Sequence, residues 1–296
     1  MMADRERTVA FIGLGAMGSG MAPCLLRSGF SVRGFDIRSE AVDQLVRAGG
    51  QACASGADAG QGAHAAVVIV LHADQAESAV FGADGLAQSL EPGTPVICMT
   101  TMSSARAKAL AARAAESGLR WLDAPVSGGT RRAADGTLTT MIGGDAADLE
   151  TARPVLQAVC RDIFHLGPVG AGSTTKMINQ VLVYCNLAAT AEAVTLCRKL
   201  GVDLQSVYPV ICTAMGASAI FESRVPKLID GSYQSGGSMR IALKDLGIVE
   251  DTARELNMPM LMTAQATQLF RASASAGMLD ADDLNVAKLY EDLAGL

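Results

Sequence analysis

Aromatic side chains are scarce in this chain: one Trp, four Tyr and seven Phe make up 4% of 296 residues. A core must therefore be assembled from Ala, Val, Leu, Ile and Met, and half of all residues are hydrophobic. At this length two such cores are expected rather than one. Positive charge is also in short supply. Twenty-four Lys and Arg against thirty Asp and Glu leave a net charge of −6. That balance speaks against nucleic acid or an anionic membrane surface as a partner. The three histidines, His64, His72 and His165, lie far apart without ligand spacing, so no metal site is expected. The seven cysteines form no Cys-x-x-Cys pair and are odd in number, which reads as small core residues in a reducing compartment. Residues 1–7 lead into a short strand-like run and not into a signal-peptide apolar region. No apolar run reaches membrane-spanning length, residues 65–71 being far too short. The expectation is a cytoplasmic protein with no membrane segment.

What is present is a change of rhythm partway along. The first half alternates β-rich runs (residues 8–13, 31–36, 66–71, 95–100 and 120–123) with Ala-rich helical segments (17–28, 39–48 and 103–117). A further strand pair, 137–142 and 163–166, flanks a helix over 146–160. Such alternation predicts βαβ units around a mostly parallel sheet. After Gly167-Pro168-Val169-Gly170-Ala171-Gly172 every segment has helical periodicity. The expected architecture is α/β: a Rossmann-type doubly wound domain over residues 1–167, then an all-α domain over 168–296.

The apolar strand Val9-Ala10-Phe11-Ile12 runs into Gly13-Leu14-Gly15-Ala16-Met17-Gly18 and then a helix. In that setting the first glycine permits the tight turn, the second lets a pyrophosphate approach the backbone, and the third lets helix pack on strand. The helix N-terminus offers N–H groups and positive potential to the phosphates. Asp36 ends the second strand, 23 residues after Gly13, where a carboxylate accepts hydrogen bonds from an adenosine ribose. It also repels a 2′-phosphate, which favours NAD over NADP. Arg38, two residues on, can soften that choice.

Lys176 is the only formally charged side chain between Asp162 and Glu192, in the first turn of a predicted long apolar helix. An unpaired ammonium is costly to desolvate, and the macrodipole adds to the cost at a helix start. Both disfavour the charged form, as acid/base chemistry near neutral pH requires. The plainer alternative is a lysine snorkelling to the surface.

Four ordered segments resemble the β-hydroxyacid dehydrogenase family, which includes 3-hydroxyisobutyrate dehydrogenase and tartronate semialdehyde reductase. They are Gly13-Leu-Gly-Ala-Met-Gly-Ser-Gly-Met21, Asp123-Ala-Pro-Val-Ser-Gly-Gly129, Gly172-Ser-Thr-Thr-Lys-Met-Ile-Asn179 and Lys244-Asp-Leu-Gly247. The resemblance implies that Lys176 is the catalytic acid/base and that Asn179, one helical turn on, binds substrate. It implies that Ser127, Gly128 and Gly129 hold a substrate carboxylate, a role that a Gly/Ser turn with unshielded N–H groups suits. It also implies that Lys244 and Thr101 contact the nicotinamide half of the cofactor. Read alone, Lys244 is an ordinary helix lysine beside Asp245. His72 stands in a cofactor loop where the family often has asparagine.

Two departures from the isobutyrate-type pattern, Thr130-Arg131-Arg132 and Ser218-Ala-Ile-Phe221-Glu222-Ser-Arg224, resemble the branch containing L-threonate dehydrogenase. The expectation is NAD-dependent oxidation of a small anionic hydroxy-carboxylic acid of the threonate type, by a homo-dimer or homo-tetramer. The alternatives are a 3-hydroxyisobutyrate dehydrogenase or tartronate semialdehyde reductase activity, and a catalytically inactive cofactor-binding regulatory module.

Overall fold

The computed structural model describes residues 8–296. The expectation about a leader at residues 1–7 lies outside the described residues. Six parallel strands, β1 (Thr8–Ile12), β2 (Ser31–Phe35), β3 (Gln51–Ala52), β4 (Ala65–Val68), β5 (Pro95–Cys98) and β6 (Arg120–Asp123), form one sheet in the order β3-β2-β1-β4-β5-β6. The connections carry α1 (Gly18–Arg27), α2 (Ser39–Arg47), α3 (Gly56–Gly60), α4 (Ala73–Phe81) and α5 (Ser104–Glu116). Alternate residues of each strand face opposite sides of the sheet. Val9 and Phe11 of β1, with Val67 and Ile97, join one buried cluster, while Ala10 and Ile12, with Val68 and Val96, join another. Both faces are therefore covered, which is why these strands are apolar throughout instead of alternating with polar residues. The order reverses between β1 and β4, and open α/β sheets bind ligands at the carboxyl ends of strands at such a reversal.

A second sheet of three strands follows. β7 (Val126–Ser127) pairs antiparallel with β8 (Leu138–Ile142), and β8 pairs in parallel with β9 (Cys160–His165). α6 (Gly129–Asp135) lies between β7 and β8, and α7 (Ala146–Val159) between β8 and β9. The Gly/Ser turn is thus a strand end running directly into a helix. Thr-Arg-Arg-Ala-Ala is good helix-forming sequence, and Gly136, at φ 69°, closes it in the left-handed region.

The remainder is helical: α8 (Ala171–Lys199), α9 (Leu204–Cys212), α10 (Ala219–Ile229), α11 (Met239–Glu255), α12 (Leu261–Ser273) and α13 (Val286–Ala294). The chain divides into two compact units after Lys176, nine residues beyond the boundary that the Gly/Pro cluster suggests. The first turns of α8 belong to the first unit because Asp123 holds them there. Its carboxylate accepts from Gly170 N (3.1 Å), Ser173 N (2.8 Å) and Ser173 Oγ (2.6 Å). Burial pushes the Asp123 carboxyl above its ordinary range, although all these donors act to lower it.

At 29 residues α8 is long and apolar enough to cross a membrane by length and composition, contrary to the expectation that no stretch reaches that length. The reason lies in its two faces. Tyr184, Leu187, Ala191 and Val194 are buried in the core of the second unit, with Val225, Leu246 and Phe270. Ile178, Leu182 and Leu196 form an apolar stripe on the opposite, exposed side.

Candidate active site

The glycine-rich turn after β1 is built as a dinucleotide cradle requires. Gly13 sits at φ +97°, and a Cβ there would meet Ile69 O at 2.1 Å. A Cβ on Gly18 would meet Gly13 O at 2.0 Å, so α1 packs against the turn through the missing side chain. Beside Gly15 the space is open: among the described residues only Arg38 Nη2 would come within 4 Å of a Cβ there, at 3.7 Å. Leu14, Ala16 and Met17 complete the turn, and α1 begins at Gly18 with no acidic residue in its first turn. The positive potential of the helix N-terminus is therefore not offset by a carboxylate of its own first turn.

Asp36 follows β2 and is tied to that turn. Its Oδ2 accepts from Leu14 N (2.7 Å), and its Oδ1 from Arg38 N (2.9 Å) and Arg38 Nε (3.2 Å). Burial alone would raise its carboxyl, but these hydrogen bonds and the charge of Arg38 hold it below the ordinary carboxylate range. The carboxylate is therefore held in its ionised form and fixed at the edge of the glycine turn. Beyond β5, Thr100 Oγ1 accepts from Val70 N (3.0 Å), tying the turns after β4 and β5 together beside Thr101. His72 opens α4, where its N–H and that of Leu71 both donate to Gln75 Oε1 (2.9 and 3.0 Å).

At the other loop, Ser127 is the last residue of β7, Gly128 stands at φ +138° and Gly129 at φ +69°. A Cβ on Gly128 would meet Arg132 Cδ at 2.7 Å, whereas among the described residues nothing lies within 4 Å of one on Gly129. The turn is supported from beneath by Arg132 and open at Gly129, so its backbone can be approached closely.

Lys176 is 7% exposed. It is the sixth residue of α8, so it stands in the second turn and not the first, where the macrodipole has weakened. Burial, more than position along the helix, sets it apart. Asn179 is half-buried, and Gln180, at i+4 from Lys176, is 6% exposed. Lys176, Gln180, Tyr184 and Leu187 share one buried stripe of α8. Asn179 Nδ2 donates to Gln180 Oε1 (2.9 Å), and Gln180 Nε2 donates to Asp245 Oδ2 (2.6 Å). Asp245 lies on α11 at 3% exposure, with Lys244 Nζ 3.0 Å from its Oδ1. Among the described residues no group of three His, Cys, Asp or Glu side chains could hold a metal ion.

Two family models cover nearly the whole chain. The NAD binding domain of 6-phosphogluconate dehydrogenase matches residues 8–167, and the NAD-binding domain of NADP-dependent 3-hydroxyisobutyrate dehydrogenase matches residues 170–290. An L-threonate dehydrogenase from Cupriavidus necator is 43% identical over 286 residues, 96% of each chain. Another from Haemophilus influenzae is 36% identical, covering 99% of this chain and 98% of its own. The chain belongs to the β-hydroxyacid dehydrogenase family. A crystal structure of 3-hydroxyisobutyrate dehydrogenase from Salmonella typhimurium superposes with a TM-score of 0.88 at 38% identity, covering 95% of this chain and 99% of that one.

As a β-hydroxyacid dehydrogenase the protein is an NAD-dependent oxidoreductase acting on a CH–OH group. The cofactor fits the first unit on its own geometry: a glycine turn closed to side chains, open beside Gly15, with the Asp36 carboxylate at its edge. Three further residues belong to these hydrogen-bonded clusters. Gln180 shares the helix face of Lys176 as fully as Asn179 does, and its i+4 spacing was the available signal. Asp245 reads as a surface partner of Lys244, and nothing local announces its burial. Thr100, next to Thr101, is marked out by its bond from Val70 N and not by any pattern in the sequence.

Proposed function

We propose that the protein oxidises a small hydroxy-carboxylic acid of the threonate type, with Lys176 as acid/base. The observation that carries the reading is the buried lysine on α8, in a helix start that Asp123 anchors to the dinucleotide-binding unit. NAD, when bound, supplies the acceptor for the hydride that leaves the substrate carbon. Lys176 Nζ takes the proton of the reacting hydroxyl during oxidation and returns it in the reverse direction. The Ser127 hydroxyl and the backbone at Gly128 and Gly129 receive the carboxylate, and Asn179 orients the substrate. Gly13 to Gly18 and Asp36 hold the cofactor, and Thr101 and Lys244 are assigned to it on the family resemblance. Residues 1–167 are then the NAD-binding domain, which also lends the Ser127–Gly129 turn to the carboxylate, and residues 168–296 are the all-α domain for substrate and self-association, which also lends Lys244 to the cofactor.

The L-threonate dehydrogenases support the C4 acid, as do Thr130-Arg131-Arg132 and the segment ending at Arg224. A panel of C3 and C4 hydroxy acids tests it, with NAD and NADP reduction rates as the readout. L-Threonate is expected to exceed 3-hydroxyisobutyrate and glycerate by about tenfold or more in kcat/KM, the discrimination a missing hydrogen-bonding group brings. A preference for 3-hydroxyisobutyrate or glycerate would return the assignment to the isobutyrate or tartronate semialdehyde type. No turnover of any acid would favour the inactive module.

A cytoplasmic location belongs to the same reading, supported by seven free thiols, of which Cys98 and Cys160 are pushed up to about 12 by burial. So does self-association through the exposed Ile178, Leu182 and Leu196 stripe, an apolar face of the kind that marks an interface. Leu182→Lys is expected to lower the mass seen by light scattering to that of one chain. A wild-type protein already monomeric at micromolar concentration would rule this surface out.

A further inference from the structure

The polar cluster beneath Asn179 has a direction, and the direction carries information about the substrate. It starts at Asp245, whose carboxylate accepts hydrogen bonds from Gln180 and Tyr184. The group is 3% exposed, and a buried carboxylate is retained only where cations and donors compensate it. Lys244 Nζ lies 3.0 Å from Oδ1, while Gln180 Nε2 donates to Oδ2 at 2.6 Å and Tyr184 OH at 3.4 Å. The Tyr184 phenol is pushed well above its ordinary value by burial and then by the Asp245 charge, so it remains a donor.

An amide facing a carboxylate must present its nitrogen, which removes the usual ambiguity of a glutamine flip. The Oε1 of Gln180 is thereby turned toward Asn179, whose Nδ2 donates to it at 2.9 Å. That fixes the second amide in turn. Asn179 commits one of its two Nδ2 N–H groups to Gln180, which sets the plane of its amide and leaves Oδ1 and the second N–H as the groups that can meet a ligand.

We infer that Asp245 is a positioning residue that acts through Gln180 to set the orientation of the Asn179 amide toward the substrate. The inference rests on the proposed reading that Asn179 orients the substrate, and it deepens that reading. A hydroxyl of a polyhydroxylated acid both donates and accepts, so it can meet the oxygen and the second N–H of an amide that is already set before substrate arrives. Gln180 is the link, because it touches both Asp245 and Asn179.

The test compares Asn179→Leu, Gln180→Leu, Asp245→Asn and the double variant of the last two. Each is measured for the KM of L-threonate, the calorimetric Kd of NAD and the thermal midpoint. Gln180→Leu is expected to raise the acid KM about tenfold, the scale of one lost hydrogen bond, with the NAD Kd within about twofold. Asp245→Asn should raise the same KM, because one amide oxygen cannot serve both Gln180 and Lys244. The double variant should be no worse than the poorer single, since the two act along one route. A Gln180→Leu enzyme with an unchanged acid KM overturns the inference, even where its midpoint falls. If Asn179→Leu raises that KM in the same set, the reading of Asn179 survives alone. If Asn179→Leu leaves it unchanged, both fall. Should Asp245→Asn fail to fold, the Gln180→Leu result decides.

Discussion

Lys176→Ala is expected to lower kcat by about 10²–10⁴-fold, the contribution typical of a positioned acid/base group. The NAD Kd should stay within about threefold, because the glycine turn and Asp36 lie on other elements of the first unit. Helix α8 should survive the change, since alanine has the highest helix propensity and the start of the helix is held by Asp123 through Ser173 and Gly170. A companion variant separates proton transfer from simple attraction. Lys176→Arg keeps the positive charge, but a guanidinium does not give up its proton in the accessible pH range. If the lysine merely attracted an anionic substrate, arginine would retain most of the activity. If it exchanges a proton with the substrate hydroxyl, arginine should be nearly as inactive as alanine. Single-turnover rates with saturating NAD and L-threonate give the comparison. An alanine variant within about tenfold of wild type would sink the acid/base role.

The elements legible in the sequence are those whose signal is local. Val9 to Ile12, Ala65 to Val68 and Pro95 to Cys98 read as strands because burial on both faces keeps every position apolar. The glycine turn is legible because a Cβ at Gly13 or Gly18 would enter backbone, leaving glycine as the residue that fits. What escaped local reading depends on partners distant in the chain. Strand β3 is two residues, Gln51 and Ala52, both exposed, and exists through its pairing with Arg33 and Gly34. The start of α8 is set by Asp123, about fifty residues upstream, which is why the compact units divide after Lys176 and not at the Gly/Pro cluster. Around Lys176, spacing alone could not rank Asn179 above Gln180, because i+3 and i+4 both lie on the same helix face. The ranking comes from burial and from a hydrogen bond to Asp245, sixty-five residues away.

Asp36→Asn should swing the preference for NAD over NADP by about two orders of magnitude. Two effects of opposite origin combine. The first is loss of a charged acceptor for the adenosine ribose; hydrogen bonds to charged groups contribute roughly 1.5–3 kcal/mol, so kcat/KM for NAD should fall about tenfold or more. The second is relief of repulsion against a 2′-phosphate, together with release of Arg38. In the wild type Arg38 Nε lies 3.2 Å from the Asp36 carboxylate, and its Nη2 approaches the open side of Gly15. Without the opposing charge that guanidinium is free to pair with a phosphate, its preferred bidentate partner. Asparagine is chosen over alanine because Asp36 also accepts from Leu14 N at 2.7 Å, and the amide oxygen can keep that contact and the turn. A loss of activity with both cofactors would mean that Asp36 serves the turn alone. The Arg38→Ala/Asp36→Asn double variant then locates the NADP gain. If the gain persists without Arg38, removal of the carboxylate charge accounts for it, and if it vanishes, the paired arginine was the latent phosphate site.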